Sequence, residues 1–445
     1  MNISNIILNL QTIASQSTDS LTQLVFSKCI EKLKVGSITV LETFDQLPSG
    51  LETDGNVFLI QSDQQLYYNV GNKYLVISRE EGDLAYAWGS NIQGQLGDGT
   101  TTSSNLPVNV IGGITNWSQL SGGAIHSLGL TDDGIAYAWG NNLNGRLGDG
   151  TTTSSNSPIT VIGDITNWSQ VSAGNDHSLG LTDDGIAYAW GAGSSGRLGD
   201  GTTVAKSSPV TMIGDITNWS QVSAGAFHSL GVTDDGVAYA WGLNQFGRLG
   251  DGTTIARSSP VTVIGDITNW SQVSGGALHS LGLTDDGIAY AWGRNLTGGL
   301  GDGTRIDKSS PITVIGGITN WSQVSAGGGH SLGLTDDGIA YAWGSSAQGR
   351  LGDGTTVNKS SPITVIGGIT NWSQLSAGSS HSLGLTDDGI AYAWGFGNEG
   401  RLGDGTAAIR SSPVTVVGGI TNWSQVSAGD AHSLGVTNQV KQFNK

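Results

Sequence analysis

The sequence predicts an all-β chain whose main part is a seven-bladed β-propeller closed by both ends of its repeat region. Three observations lead to this prediction. A unit of 51 residues returns seven times without losing phase, and each complete unit contains four short strand patterns. The first and last units are incomplete in complementary ways. All 14 tryptophans and all 7 histidines fall at fixed positions of the repeat.

The second copy of the repeat illustrates the four strand patterns. In chain order they are strand A, strand B, strand C and strand D, predicted over Trp168–Gly174, His177–Leu181, Ile186–Trp190 and Pro209–Ile213. Asp-Asp-Gly separates B from C, and Asp-Gly is a strong hairpin signal because glycine accepts a positive φ. Each copy therefore predicts a small antiparallel sheet.

Side-chain size alternates along these strands. In strand C, Tyr188 and Trp190 point to one face of the sheet, whereas Ala187 and Ala189 point to the other. The alternation is between large and small side chains rather than between apolar and polar ones. Such a pattern is expected where both faces of a sheet are covered and neighbouring sheets interlock. Radial stacking of seven sheets meets that requirement.

The two ends of the repeat region complement each other. The series opens with a C pattern, Leu84–Trp88, that has no A or B before it, and it ends with an A and a B in 423–436 that have no C after them. One blade built from both ends would remove the exposed edges of an open array. We therefore assign the propeller to 83–439 and a short tail to 440–445.

Composition excludes several classes of protein. Lys and Arg number 19 against 36 Asp and Glu, a net charge of −17, which argues against a general nucleic-acid binder. A single cysteine, Cys29, excludes an internal disulfide framework. The chain has no transmembrane run, and its first ten residues lack the basic start of a signal peptide, so we expect no membrane insertion.

Residues 1–36 are predicted to form a helical anchor. Two segments carry apolar side chains at helical spacing, and Gly36 is a stop signal for the second. Two short helices cannot bury such a face alone, so they are expected to dock on a partner or self-associate; packing back on the propeller is the alternative. The anchoring side chains are Ile6, Leu10, Leu21, Leu24 and Val25.

Residues 37–82 are predicted to form a small β module. Turn signals separate strand patterns at Val57–Ile60, Gln65–Tyr68 and Lys73–Ile77. The segment from Phe44 through Tyr74 resembles short β modules of bacteriophage virion and tail-fibre proteins, which implies attachment to a particle.

The repeats themselves resemble the regulator-of-chromosome-condensation repeat family. The residues that carry the resemblance are Gly-x-x-His-Ser-Leu-Gly-Leu, Thr-Asp-Asp-Gly, Ala-Trp-Gly and Gly-Arg-Leu-Gly-Asp-Gly-Thr, the last as at Gly145–Thr151. The resemblance implies a seven-bladed propeller. It also implies a range of functions, which includes nucleotide exchange on a small GTPase, chromatin docking, ultraviolet sensing and inhibition of β-lactamases, so the fold alone does not select one.

No motif predicts an enzyme, a cofactor or a metal site. Each histidine begins a strand, where hydrogen bonding to neighbouring backbone is the ordinary role. Gly191–Gly196 and Gly395–Gly400 match Gly-x-Gly-x-x-Gly, but neither opens a helix, so a dinucleotide site is rejected. No Ser/His/Asp set or carboxylate pair stands apart from the repeat.

The copies differ mainly on one rim, which we call the upper rim: the A–B turns and the C–D loops. The lower rim comprises the B–C turns and the D–A links; it is nearly uniform and carries 15 acids and no base, whereas all 12 Lys and Arg of the propeller fall in the predicted C–D loops. We therefore predict a partner site on the upper rim, although drift of unconstrained loops would give the same variation. The predicted partner-binding residues are Ile125, Asp176, Phe227, Leu278, Asn142, Phe246, Arg294 and Phe396.

Three functions fit these features. The first is a non-catalytic protein-binding propeller in a phage particle, located in the virion and presenting its upper rim to a virion component or a host-surface molecule. The second is a cytoplasmic regulator such as a small-GTPase exchange factor, which would predict one enlarged blade loop. The third is an enzyme inhibitor, which would predict clustered aromatic residues on the rim.

Overall fold

The computed structural model describes residues 83–438, except 164 and 421, and four short strands between 38 and 76. The chain divides into two compact units, residues 83–438 and the two flanking segments. The predicted tail 440–445 and the predicted helices of 1–36 lie outside the described residues. The same holds for the proposed anchor side chains Ile6, Leu10, Leu21, Leu24 and Val25.

The N-terminal unit contains one four-stranded sheet, ordered as in the chain. Its strands are Ile38–Leu41, Val57–Ile60, Gln65–Val70 and Lys73–Val76. The first two strands pair in parallel, and the others are antiparallel. The three predicted strands are confirmed, whereas the strand at Ile38–Leu41 was not predicted.

The second unit is a propeller of seven four-stranded sheets, so the predicted fold is confirmed. Blades 1 to 7 are numbered here by their strand A. The A strands of blades 1 to 7 are Trp117–Gly122, Trp168–Ala173, Trp219–Ala224, Trp270–Gly275, Trp321–Ala326, Trp372–Ala377 and Trp423–Ala428. The B strands are His126–Thr131, His177–Thr182, His228–Thr233, His279–Thr284, His330–Thr335, His381–Thr386 and His432–Asn438.

The remaining two strands of each blade follow in the same order. The C strands are Ala136–Gly140, Ala187–Gly191, Ala238–Gly242, Ala289–Gly293, Ala340–Gly344, Ala391–Gly395 and, for blade 7, Asp83–Gly89. The D strands are Ser155–Thr160, Lys206–Thr211, Arg257–Thr262, Lys308–Thr313, Lys359–Thr364, Arg410–Thr415 and, for blade 7, Ser104–Asn109.

Blade 7 is completed by both ends of the repeat region. Its strand B, near the end of the chain, pairs antiparallel with strand C from the beginning, and the register runs from His432 opposite Gly89 to Asn438 opposite Asp83. The predicted closure is therefore confirmed. It gives blade 7 the same four-stranded sheet as the other six blades.

Strand D starts earlier than predicted. In blade 2 it begins at Lys206 rather than Pro209, and its pairing with strand C shifts register between the Lys206–Gly191 and Val210–Ala189 pairs. A proline has no N–H to donate, and such residues are accommodated at irregular or edge positions of a sheet. Five basic residues assigned to the C–D loops from sequence are in fact the first residues of D strands: Lys206, Arg257, Lys308, Lys359 and Arg410.

The core consists of seven similar layers between neighbouring blades. Between blades 1 and 2, Trp168 and Trp190 of blade 2 pack against the small and aliphatic face of blade 1, including Leu128 and Ala138. Glycine is required beneath the strand A tryptophan, since a Cβ on Gly180 would lie 2.4 Å from the Trp168 ring. The alternation of large and small side chains thus produces interlocking blades.

Side chains also connect the innermost strands around the ring. The Gln119 Oε1 atom of blade 1 accepts a hydrogen bond of 2.8 Å from the Val171 backbone N–H of blade 2. Equivalent bonds join the later neighbours, and the Leu120 N–H donates to Gln425 of blade 7 at 2.7 Å. Ring closure is therefore made by the same contact as every other blade junction.

The histidines form a second ring of contacts between blades. The His126 Nε2 atom lies 2.9 Å from the Ser178 hydroxyl of the next blade, and the series returns to its start where His432 meets Ser127 at 2.8 Å. The prediction that the histidines hydrogen-bond to the backbone is therefore wrong, because their partners are serine hydroxyls. The serine hydroxyl is itself the group that donates to backbone, as Ser178 does to the Arg146 carbonyl.

Candidate partner-binding rim

The A–B turns and C–D loops lie at the same edge of every blade. In blade 3 the Leu243 N–H, at the start of the C–D loop, donates to the Phe227 carbonyl of the A–B turn at 2.9 Å. The same bond recurs in each blade, including Ser90 to Ala431 in blade 7. The upper rim defined from sequence is therefore one continuous face of the propeller.

An internal network holds the C–D loops in shape. In blade 1 the Asn142 side chain donates to Asp149 at 2.9 Å and accepts from the buried Leu147 N–H at 2.9 Å. Asn142 is fully buried, and its amide also donates to the Thr153 carbonyl. The prediction that Asn142 contacts a partner is therefore corrected: this residue supports the loop and is not available at the surface.

Five buried arginines link consecutive blades beneath the rim. Each guanidinium donates to a carbonyl in the A–B turn of the next blade; Arg248, for example, reaches the Ala277 carbonyl at 2.7 Å. Burial lowers the pKa of all five below the ordinary value for arginine, and the pKa of Arg248 falls to about 10 through burial and the nearby charge of Arg294. The five residues are Arg146, Arg197, Arg248, Arg350 and Arg401.

Asp176 compensates two of these charges. Its carboxylate lies 3.0 Å from the Arg146 guanidinium and 3.9 Å from that of Arg197, and its side chain is 37% exposed. The carboxylate therefore neutralises the junction between blades 1 and 2 while it remains accessible from above.

Each aromatic side chain of the predicted site lies beside an arginine. The guanidinium carbon of Arg197 is 5.3 Å from the centre of the Phe227 ring, and Arg401 is 5.0 Å from the ring of Phe396. The Phe246 ring has two such neighbours, Arg294 at 4.8 Å and Arg248 at 5.8 Å. These cation–π contacts hold half-buried aromatic rings at the surface, as suits an interface anchor.

Ile125, Leu278 and Arg294 are also half-buried on this face. Sequence reasoning missed three more exposed apolar side chains at the tips of C–D loops. They are Ile92, Leu143 and Leu296, with exposed fractions of 63%, 72% and 61%. The sequence contains a signal for these residues, because three copies carry an aliphatic residue at the same loop position. A solvent-exposed loop tip does not require one.

A narrow opening follows the propeller axis. Small residues at the inner ends of the A strands line it, among them Ala173, Gly225 and Ala326, and its volume is about 180 Å³. Phe227 and Asp430 stand at its upper mouth, where the A–B turns converge. The opening is therefore bordered by the variable turns and lined mainly by glycine and alanine.

The lower rim is uniform. Asn116 of blade 1 donates to both Asp132 and Asp133, and corresponding Asn–Asp contacts recur in the following blades. Its side chains thus maintain the B–C turns and present little that differs between blades. In the described part of the chain, no three His, Cys, Asp or Glu side chains are grouped to hold a metal ion. Nor does any helix there have the length and hydropathy to cross a membrane.

The model of the regulator of chromosome condensation (RCC1) repeat matches this chain seven times. The matched residues are 83–130, 133–181, 184–232, 235–283, 286–334, 337–385 and 388–436. These matches coincide with the structural repeat and cover most of the chain.

Two relatives illustrate the range of proteins that share this sequence pattern. The ultraviolet-B receptor UVR8 of Arabidopsis thaliana is 33% identical over 299 residues, which make up 66% of this chain and 68% of the receptor. The human E3 ubiquitin-protein ligase HERC2 is 30% identical in an alignment of 370 residues that covers 79% of this chain but only 8% of the ligase.

Solved structures share the fold. Human WBSCR16 superposes with a TM-score of 0.73 at 24% identity and covers 81% of this chain and 100% of its own. Prp20p of Saccharomyces cerevisiae superposes with a TM-score of 0.71 at 21% identity and covers 81% and 93%. Sequence matches, blade structure and superposition agree: the chain belongs to the family of regulator of chromosome condensation (RCC1) repeat proteins.

Proposed function

We propose that this protein is a non-catalytic regulatory propeller that binds a protein partner through its upper rim. The observation that carries the proposal is the contrast between the two rims. Seven nearly identical blades differ where the A–B turns and C–D loops meet, and the differing side chains are half-exposed aromatic, aliphatic and charged residues. A chemically asymmetric rim can orient a partner that lacks sevenfold symmetry.

The relatives support a protein-binding regulator rather than a virion component. They include a light receptor, a ubiquitin ligase and Prp20p, a protein whose structure was described together with its binding to Gsp1p and histones. We do not propose a light response for this chain, because the tryptophans of this chain are buried between its blades. No finding favours the phage particle, so the regulator hypothesis replaces it as the proposal.

Within the regulators, the structure favours a general binder over an exchange factor. The exchange-factor hypothesis predicted one enlarged loop, but within 83–438 the C–D loops keep the same length from blade to blade. The inhibitor hypothesis predicted clustered aromatics, and Phe227, Phe246 and Phe396 are spread over blades 3 and 6. We therefore do not propose that binding promotes nucleotide exchange or inhibits an enzyme.

Site-specific photo-crosslinking tests which rim is used. A photoreactive amino acid is placed at Leu143 on the upper rim or at Asp184 on the lower rim, both exposed. We expect a stoichiometric adduct of one defined mass from Leu143 and none from Asp184. An adduct formed only from Asp184 would contradict the proposal.

A triple variant controls for specificity. Phe227→Ser, Phe246→Gln and Phe396→Ser introduce the residues that other blades carry at the same positions: Ser380, Gln348 and Ser345. Gln348 also shares the left-handed backbone of Phe246, with φ of 59° and 75°. The substitutions should therefore preserve folding and reduce the yield of the adduct.

A further inference from the structure

Blade 4 lacks the arginine that its neighbours place beneath the rim. Gly299 occupies the position of Arg248 in blade 3 and Arg350 in blade 5. The A–B turn that such an arginine would reach, in blade 5, is Gly328-Gly329 and has no side chains either. A Cβ built on Gly299 would meet no atom closer than 3.5 Å, so the backbone there leaves free space.

A pocket lies at the junction of blades 4 and 5, where this arginine is missing. Its volume is about 330 Å³, and its lining includes Leu278, Leu296 and Thr297 together with Arg294 and Arg350. Leu296 is largely exposed, and apolar and cationic residues line the same pocket.

The two guanidinium groups have no anionic partner in the described part of the chain. Arg350 donates to the Ser379 carbonyl at 3.0 Å and to the Gln348 side chain at 2.7 Å, both neutral acceptors. Arg294 stacks on Phe246 at 4.8 Å and makes no ion pair with any described residue. The lowered pKa of Arg248, caused by burial and by Arg294, fits a cationic sector without a counter-charge.

Blade 2 shows what such a junction accepts. There Asp176 occupies the A–B turn position that Gly329 occupies in blade 5, and its carboxylate contacts Arg146 and Arg197. Blade 5 retains the equivalent of Arg197, namely Arg350, but its A–B turn has no carboxylate. Gly299 stands where the closer partner of Asp176, Arg146, would be. A carboxylate that arrived from another molecule would find the same kind of partner, because guanidinium groups donate in a geometry that suits carboxylates.

We propose that the pocket between blades 4 and 5 binds a carboxylate of the partner protein, with an adjacent aliphatic side chain resting on Leu278 and Leu296. The inference rests on the proposed use of the upper rim and assigns the partner an acidic contact segment. The carboxylate belongs to an Asp or Glu side chain or to a chain terminus.

Methyl NMR of the full-length protein with short peptides tests the pocket without knowledge of the partner. The probes are acetyl-Leu-Asp-Leu-amide, acetyl-Leu-Leu with a free C-terminal carboxylate, and the neutral acetyl-Leu-Asn-Leu-amide. We expect at least one carboxylate peptide to shift the Leu278 and Leu296 methyl signals saturably, with an affinity at least tenfold above that of the neutral peptide. The two acidic probes distinguish a side-chain from a terminal carboxylate. Equal affinity for all three peptides, or no saturable shift, would overturn the proposal.

Gly299→Arg introduces the residue that five other blades carry at this position. The matched control, Gln95→Arg, adds an arginine at the same position of blade 7 and leaves the pocket intact. Because Arg146, at the equivalent position, lies 3.0 Å from the Asp176 carboxylate, Gly299→Arg should raise the affinity for the carboxylate peptides severalfold, and Gln95→Arg should leave it unchanged. Arg294→Ser, which copies Ser345 of blade 5, keeps the test possible if Gly299→Arg fails to fold. This second variant should weaken carboxylate binding severalfold. Unchanged peptide binding in Gly299→Arg, or in Arg294→Ser, would refute the pocket while the crosslinking result for the rim stood.

Discussion

At the scale of single residues, the histidine ring has a defined proton arrangement. Each serine of the ring donates its only hydroxyl hydrogen to a backbone carbonyl, as Ser229 does to Arg197 at 2.9 Å. The hydroxyl can then only accept from the histidine, so His177 carries its proton on Nε2. The neutral ring is therefore the form that the fold requires.

The ring makes stability depend on pH. Burial lowers the pKa of all seven histidines, to about 4 for His279 and about 3 for His432, from about 6.5 in an unfolded chain. Below pH 6.5 the unfolded chain takes up protons that the folded chain refuses, so stability is complete above that pH and falls as the pH drops towards the folded values. In this range each histidine lowers the free energy of unfolding by up to about 1.4 kcal/mol for each pH unit of acidification.

We expect the free energy of unfolding, measured by urea titration, to fall steeply between pH 6.5 and pH 4.5. The variant His177→Gln keeps a donor to the Ser229 hydroxyl but cannot titrate, so its slope should be smaller by about one proton. A stability that stays constant from pH 8 to pH 4.5 would show that the histidines are not buried in the neutral form.

At the scale of elements, four of the seven C–D loops have a buried asparagine at the same position: Asn91, Asn142, Asn244 and Asn295. Asn142→Ala removes the acceptor of the buried Leu147 N–H, and an unsatisfied buried donor costs about 1–3 kcal/mol. We expect faster hydrogen exchange at the Leu147 amide and a lower melting temperature. Ser346 occupies the same position in blade 5 and donates a hydrogen bond to the Thr355 carbonyl. Ser346→Ala should therefore have a smaller effect than Asn142→Ala. A Leu147 amide that remained fully protected would contradict this role.

Sequence reasoning succeeded where the repeat enforces one conformation and failed where side chains bond within a loop. Strands A, B and C follow from alternating side chains and the Asp-Gly turn, whereas strand D was misplaced because its register shift leaves no pattern. Asn142 was assigned to a partner although an asparagine at the same position in four copies indicated a structural role. The pocket between blades 4 and 5 was missed because only the variable loop positions were compared, and not the arginine series, in which Gly299 and Gln95 are the exceptions.

At the scale of the whole molecule, closure should make the propeller a single cooperative unit. Ending the chain at residue 422 removes strands A and B of blade 7 and leaves its C strand, Asp83–Gly89, without its partner. We expect loss of the single unfolding transition, or aggregation, in calorimetry. Removal of 439–445 alone takes away no propeller strand and serves as the control. An unchanged melting transition after the larger deletion would refute closure by the two ends.

The central claim is that the upper rim binds the partner, and the dissociation constant of the crosslinked partner tests it most directly. It is measured for the unaltered protein, for the Phe227→Ser, Phe246→Gln and Phe396→Ser triple variant, and for a lower-rim variant with Asp132, Asp183 and Asp234 changed to Lys. Loss of three anchors should weaken binding by about 1–4 kcal/mol in total, and the lower-rim variant should bind normally. Normal binding by the triple variant, together with lost binding by the lower-rim variant, would place the site on the opposite face and contradict the account.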